Sequence, residues 1–171
     1  IIVMSVMNGF RSELVSKIIG FNSHVVIQSQ NEADERSLLE SNYIKSISKN
    51  IIFSNSGEVV LINKNFTKGL SLRGYDKEDF KKLEIFKKIN HENKEDFFEG
   101  KTISIGKELS FDLNLHIGDT VLLMSPTGED TIVGNLPKQE NYKITSIFDS
   151  GLIEFDQNVA FLNIDNLEGL L

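Results

Sequence analysis

Hydrophobic positions near the start of the chain recur at steps of three and four residues. They are Val3, Val6, Met7, Phe10, Leu14 and Ile18. This spacing predicts a helix with one apolar face, and Gly20 stands where such a helix would end. A short strand is predicted over His24–Gln28. A second helix is predicted where apolar residues recur again, at Leu38, Leu39, Tyr43, Ile44 and Ile47.

Short apolar runs bounded by turn residues dominate the remainder of the chain and predict strands. These runs are Ile51–Ser54, Glu58–Asn63, Leu70–Gly74, Thr102–Ile105, Thr120–Met124, Tyr142–Phe148 and Asn158–Leu162. Short helices are predicted at Gly106–Leu113 and Ile164–Leu171. Because the helices and strands follow no regular βαβ rhythm, we predict an α+β fold with a mixed sheet. A charged stretch over residues 76–100 suggests two lobes, a larger one at about 1–75 and 115–171 and a smaller one at about 76–114.

A long loop lies between two predicted strands and is bracketed by the only two prolines of the chain, Pro126 and Pro137. Hairpin connections normally need two to five residues, so a loop of this length indicates a function or disorder. The loop contains Ile132, Val133 and Leu136, which a merely solvated loop would not need. One interpretation is a protruding finger that docks a partner. The other is that the apolar residues fold back onto the sheet as a small cluster.

Charge and composition narrow the possible functions. The net charge of −7 argues against a nucleic-acid surface, which needs clustered Lys and Arg. The absence of cysteine excludes disulfides, thiolate metal sites and thiol nucleophiles. The sequence contains no glycine-rich phosphate-binding motif and no G-x-S-x-G elbow, so we expect no cofactor.

Histidines and carboxylates give no pattern of a catalytic or metal site. The histidines His24, His91 and His116 are far apart and outside any metal-ligand spacing. Adjacent carboxylates occur as Asp34/Glu35, Glu78/Asp79 and Glu95/Asp96. Sequence neighbours point to different faces of a helix or strand, so they make poor acid–base pairs. We predict that the protein is not an enzyme.

The apolar run Ile1–Met7 opens the chain without an initiator methionine. It is far shorter than the roughly 20 residues that a membrane span requires. We interpret the chain as a fragment of a longer protein with a membrane helix just upstream. An ordinary amphipathic first helix is the alternative.

Several segments resemble the LolC/LolE permeases of lipoprotein-releasing ABC transporters, and the resemblance covers essentially the whole chain. The segments are Ser5–Phe10, Glu13-Leu14, Ile18–Gly20, Glu58–Leu61, Leu70–Asp76, Ile105–Leu109, Leu113–Leu115 and Gly118–Val121. The segment Ser5–Phe10 is similar to the one that leaves the first membrane helix in that family. The stretch from Ile105 to Val121 is also found in related MacB-type permeases.

The resemblance implies a MacB-like periplasmic core domain of an inner-membrane permease, located between the first two membrane helices. It implies partners of the full-length protein: a cytoplasmic ATPase subunit, a second permease and a lipoprotein substrate. It further implies a soluble periplasmic lipoprotein carrier of the LolA type, which the family grips with a hook hairpin and an adjoining pad.

Carried over by position, the hook corresponds to the loop between the prolines. Its candidate residues are Pro126, Ile132, Val133, Gly134, Leu136 and Pro137. In the pad only Gln139 matches, because Leu122 and Glu140 stand where the carrier-recruiting subunit has arginines. The resemblance leaves open a MacB-like or FtsX-like ectodomain that transmits mechanical movement to another periplasmic partner. It also leaves open which permease subunit this is.

Overall fold

The chain divides into two compact units, Ile1–Phe53 and Ser54–Leu171. The computed structural model describes residues 2–21, 23, 25–28, 41–64, 66–87, 89, 98–126, 129–131 and 134–171. In the first unit, helix α1 spans Ile2–Phe21 and helix α2 spans Asn42–Ile47. Residues Val25–Gln28, where a strand is predicted, are exposed to solvent and belong to no strand.

The described apolar side chains of α1 are exposed rather than packed. They are Val3, Met4, Val6, Met7 and Phe10, each at least 60% exposed. The predicted helix is therefore present, and the residues of its predicted apolar face are uncovered along this part of its length. Among the described residues, no helix combines the length and the apolar character needed to cross a membrane.

The second unit contains eight strands and the remaining described helices. The strands are β1 Ser54–Asn63, β2 Phe66–Tyr75, β3 Thr102–Gly106, β4 Thr120–Met124, β5 Glu129–Thr131, β6 Gly134–Leu136, β7 Gln139–Phe148 and β8 Val159–Asn163. The helices are α3 Lys77–Lys82, α4 Glu84–Lys87, α5 Lys107–Leu113, α6 Ile153–Asn158 and α7 Ile164–Leu170. This mixture confirms the predicted α+β class.

Six of the strands close into a barrel in the order β1-β2-β8-β3-β7-β4. The pairs β2–β8 and β3–β7 are parallel, and the other pairs of the barrel are antiparallel. The strands β5 and β6 form a separate two-stranded sheet. The sequence predicts the individual strands but not their closure into a barrel.

Alternating residues of the six strands fill the barrel, because successive side chains of a strand point to opposite faces. The interior set is almost entirely aliphatic: Val59, Leu61, Leu70, Leu72, Ile103, Ile105, Val121, Leu123, Tyr142, Ile144, Ala160 and Leu162. Helices α5 and α7 add Leu109, Leu113, Leu167 and Leu170 to the same cluster.

An aromatic layer covers part of the outer side of the barrel wall. It consists of Tyr75, Phe80, Phe86, Phe98, Phe148, Phe155 and Phe161. The ring centroid of Phe161 on β8 lies 5.0 Å from that of Phe148 on β7 and 5.4 Å from that of Phe80 on α3. These tilted and edge-on arrangements are the geometries that aromatic pairs favour. Helix α3 is thereby packed onto the barrel.

Gly106 allows α6 to approach β3 closely. A Cβ at this position would lie 2.1 Å from the carbonyl oxygen of Asp156. The Asp156 carboxylate in turn accepts hydrogen bonds from the Ser150 N–H at 3.1 Å. Helix α6 is therefore fixed against the barrel by backbone contact and by its own buried carboxylate.

The structure divides the chain differently from the two lobes suggested by composition. Strand β3 and helix α5, assigned by sequence to the smaller lobe, lie in and against the barrel through β3–β7 and β3–β8 pairing. The predicted strands Ile51–Ser54 and Glu58–Asn63 are replaced by one strand that starts at Ser54. Helix α6 is not predicted, because a helix of six residues that tertiary contacts stabilise has too little periodicity to detect.

Candidate functional site

The loop between the two prolines forms a hairpin that extends from the β4–β7 pair. Its strands pair Glu129 with Leu136 and Thr131 with Gly134, so only two residues connect them. At the base of the loop, the Ser125 N–H donates to the Lys138 carbonyl oxygen at 2.9 Å. The long loop predicted from the sequence thus contains a hairpin, and the two strands of this hairpin form their own sheet.

The candidate hook residues are distributed over this hairpin. Pro126 and Pro137 are exposed at its base, and Leu136 is 58% exposed. Gly134 begins β6. Ile132 and Val133 lie outside the described residues. The exposure of Leu136 favours the finger interpretation for this residue over packing against the sheet.

The candidate pad residues lie on β4 and β7 but face in different directions. Leu122 pairs with Asn141, whereas Glu140 pairs with the interior residue Leu123. By strand alternation, Leu122 therefore points outward and Glu140 points to the interior side of the barrel wall. Gln139 is exposed, and its side-chain amide contacts the sulfur of Met124 at 3.6 Å. The three pad candidates do not form one polar surface.

Glu140 is held by neighbouring side chains. Its carboxylate lies 2.8 Å from the Lys101 ammonium and accepts a hydrogen bond of 3.0 Å from the Tyr142 hydroxyl. Burial raises the pKa of Glu140, but the hydrogen bonds and the charges of Lys101 and Lys138 outweigh burial and lower this pKa overall. The Glu140 carboxylate therefore stabilises contacts within the barrel and is only partly exposed to a binding partner.

Tyr142 connects this carboxylate to the end of the chain. Its hydroxyl also lies 3.1 Å from the Asn166 carbonyl oxygen, and the Asn166 side chain donates to the Gly100 carbonyl oxygen at 2.8 Å. Burial and the adjacent Glu140 carboxylate raise the pKa of Tyr142 well above its ordinary value. The phenol thus remains protonated and keeps its role as a donor.

A face that was not predicted from the sequence adjoins the base of the hairpin. The register pairs Val60 with Met124 and Ile62 with Leu122, so these four side chains form a block on the outer side of β1 and β4. We call this block the outer apolar face. All four residues are partly exposed. The uninterrupted apolar run Val59–Ile62 is typical of a strand with apolar neighbours on both sides. This run is the feature of the sequence that indicates an apolar outer face on β1.

The described histidine and the described pair of adjacent carboxylates make local contacts within their own turn or helix. The Asp119 carboxylate accepts from the His116 N–H at 2.8 Å within a turn, and the His116 ring lies 3.7 Å from the same carboxylate. Glu78 and Asp79 pair with Lys81 and Lys82. His24 and His91 lie outside the described residues. The part of the chain that the structure describes contains no cluster of His, Cys, Asp or Glu able to hold a metal ion.

The fold and the site define a class of protein: an α+β barrel domain that carries a hairpin beside an apolar face. Known proteins with similar sequences are the lipoprotein-releasing system transmembrane proteins LolC. The one from Neisseria meningitidis serogroup B is 25% identical over 178 residues, which cover 97% of this chain and 41% of that protein. The one from Xylella fastidiosa Temecula1 is 20% identical over 185 residues, covering 100% of this chain and 42% of that protein.

A third relative, LolC from Buchnera aphidicola of Acyrthosiphon pisum, is 27% identical over 156 residues, which cover 86% of this chain. No family model matches the chain. Several LolC proteins align along most of the chain at 20–27% identity, which supports membership of the LolC/LolE family. It spans about two fifths of the length of the first two relatives.

Proposed function

We propose that this chain is the periplasmic domain of an inner-membrane ABC transporter permease that releases lipoproteins. The observation that carries this proposal is the alignment with LolC proteins over 97–100% of the chain. The domain has a MacB-like core and docks a soluble lipoprotein carrier of the LolA type through the β5–β6 hairpin. In the full-length protein, a second permease and a cytoplasmic ATPase subunit complete the transporter.

The domain supplies binding and no chemistry of its own. The energy comes from ATP hydrolysis in the separate subunit and reaches the domain through α1. The hairpin keeps the carrier close to the released lipoprotein, so transfer occurs at a high local concentration. The hairpin has strands of three residues, and the prolines that bracket the loop restrict the backbone, which lowers the loss of conformational entropy on binding.

The outer apolar face extends the contact beyond the hairpin. It begins at Met124, directly before the loop, and continues across the sheet to Val60 and Ile62 on β1. Since Leu122 replaces a pad arginine and Glu140 is paired with Lys101, this contact depends on apolar packing rather than on charge. The carrier of the same organism is therefore expected to present apolar side chains to this face.

Calorimetric titration of the 171-residue chain with that carrier tests the proposal. Leu136→Asp and Val133→Asp are expected to weaken binding by about 1–3 kcal/mol each, because they place a charge on the contact surface. Phe66→Asp is the matched control, since Phe66 is 53% exposed at the start of β2 and lies outside the proposed contact. Thermal unfolding should be nearly unchanged in all three variants.

Two results would contradict carrier docking. If the intact chain does not bind the carrier, the domain does not recruit it. If binding survives both hairpin substitutions and deletion of Thr127–Leu136, the hairpin is dispensable. The second result would favour an ectodomain of the MacB or FtsX kind that transmits movement to another partner.

A further inference from the structure

A second exposed surface lies on helices α5 and α6, separate in sequence from the hairpin. Phe111 on α5 is 83% exposed, the highest value among the large hydrophobic residues that the structure describes, and Ile153 on α6 is 62% exposed. Single exposed apolar residues are common on protein surfaces. What sets these two apart is that their helices are joined to each other by polar contacts.

One polar contact joins the two helices, and a second joins α5 to the segment that precedes α6. The Lys107 ammonium lies 2.8 Å from the Asp149 carboxylate, which precedes α6. Near the other end, the Gln157 side-chain amide donates to the Asp112 carboxylate at 3.0 Å. The helices therefore run side by side in a fixed arrangement.

Helical spacing orders the exposed residues into rows. Residues three or four apart share a helix face, so Phe111 lies in the row of Lys107, and Asp112 lies in the row of Glu108. On α6, Ile153 shares its row with Gln157. Because Gln157 bonds Asp112, the Glu108–Asp112 row faces α6 and separates the two apolar residues. We call this surface the α5–α6 strip, and it consists of Lys107, Glu108, Phe111, Asp112, Ile153 and Glu154.

The charge of the strip is acidic. Glu108, Asp112 and Glu154 are its carboxylates, and its ammonium, Lys107, already pairs with Asp149. Its apolar residues are thus flanked by negative charge. A groove of about 650 Å³ beside Phe111 is lined also by Asn114, Leu115 and His116 and could receive a side chain.

The strip is supported from below. Leu109 and Leu113, on the opposite side of α5 from Phe111, are buried in the barrel cluster. Helix α6 is in close contact with Gly106 through its backbone at Asp156. A surface that is ordered before binding loses little conformational entropy when a partner binds.

We propose that the α5–α6 strip is a docking surface for a cationic, apolar protein segment, one in which Lys or Arg side chains lie between apolar ones. Apolar residues of the segment contact Phe111 and Ile153, and its cations lie along the Glu108–Asp112 row. A second copy of this chain fits poorly, because the chain carries a net charge of −7 and the strip would meet its own acidic face. The same repulsion disfavours anionic lipid.

Fluorescence anisotropy with a labelled amphipathic helical peptide of about 14 residues, built from Leu and Lys, tests this proposal on the full 171-residue chain. Phe111→Ser is expected to weaken peptide binding by about tenfold, as loss of an anchor residue does. Glu154→Lys should give a smaller loss that vanishes at about 0.5 M salt, where charges are screened. Phe66→Ser, an exposed Phe outside the strip, should bind as the unaltered chain does. Ile153→Ser serves as the second variant if Phe111→Ser alters unfolding.

Several outcomes would overturn the proposal. Equal affinity for a peptide with Glu in place of Lys would show that the acidic residues of the strip do not contribute to binding. An unchanged affinity in both Phe111→Ser and Ile153→Ser, or an equal loss in Phe66→Ser, would show that binding is not at the strip. Sedimentation that reveals a dimer lost on Phe111→Ser would assign the strip to a second copy. None of these results depends on the lipoprotein carrier, so they are distinguishable from failure of the hairpin proposal.

Discussion

The outer side of the barrel wall differs between two regions. Around β3, β8 and the end of β7, it is covered by the aromatic layer and by α6, and Phe148 and Phe161 are at most 1% exposed. Around β1 and β4, the outer apolar face is partly exposed. The outer side of the barrel thus has one region that other parts of the chain cover and one region that is accessible to solvent.

This difference separates two uses of apolar surface. Burial of aromatic side chains stabilises the fold, because it removes apolar area from water and adds ring–ring contacts. An apolar face that remains partly exposed contributes less to folding and is available to a partner. Substitutions in the covered region should therefore change stability, and substitutions in the open region should change binding.

Phe161→Ala in the covered region should have the largest effect on stability. Phe161 contacts the rings of Tyr75, Phe80, Phe148 and Phe155, so its truncation leaves a cavity in the centre of the layer. We expect a loss of about 3–5 kcal/mol in the free energy of unfolding, measured by urea denaturation. Ile62→Ala in the open region should cost only about 1 kcal/mol. Equal losses at the two positions would remove the distinction between the regions.

Two strand glycines sharpen the comparison with a smaller change, one methyl group. Gly106→Ala would place its Cβ against the backbone of Asp156 and should destabilise the protein by about 1–3 kcal/mol, because α6 must move. Gly69, which pairs with Val60 in the open region, has no atom within 4 Å of the corresponding position. Gly69→Ala should therefore be neutral or slightly stabilising. A neutral Gly106→Ala in thermal unfolding would mean that α6 is not fixed as described.

The individual strands were predictable because their sequences are short apolar runs bounded by turns. The prediction for β4 matches Thr120–Met124, and that for β3 ends one residue before Gly106. Closure of the barrel was not predictable, because it depends on pairing between segments far apart in the chain, such as β1 with β4. The outer apolar face was missed for the same reason. It exists only through the register that places Val60 beside Met124.

The candidate pad shows the same limit at the level of single side chains. Position alone grouped Glu140 with Leu122 and Gln139. Strand alternation and the contacts of Lys101 and Tyr142 separate them. Sequence could not reveal that pairing, since Lys101 lies just before β3 and reaches Glu140 only after β3 pairs with β7.

The pH dependence of Glu140 is the smallest expected effect and tests whether this residue belongs to the wall or to the docking face. Its pKa is lower in the folded protein than the ordinary value of 4.5, so the ionised form stabilises the fold. This contribution is fully present above the unfolded pKa and is lost as the pH falls through the folded pKa. Glu140→Gln should therefore lower the melting temperature near neutral pH and reduce its decline as the pH falls below the ordinary value of 4.5, relative to the unaltered chain. Glu154→Gln makes the same chemical change at an exposed position of α6 and is the control substitution. If Glu140→Gln leaves the pH dependence of the melting temperature unchanged but alters the affinity for the carrier, Glu140 belongs to the docking surface and does not stabilise the barrel.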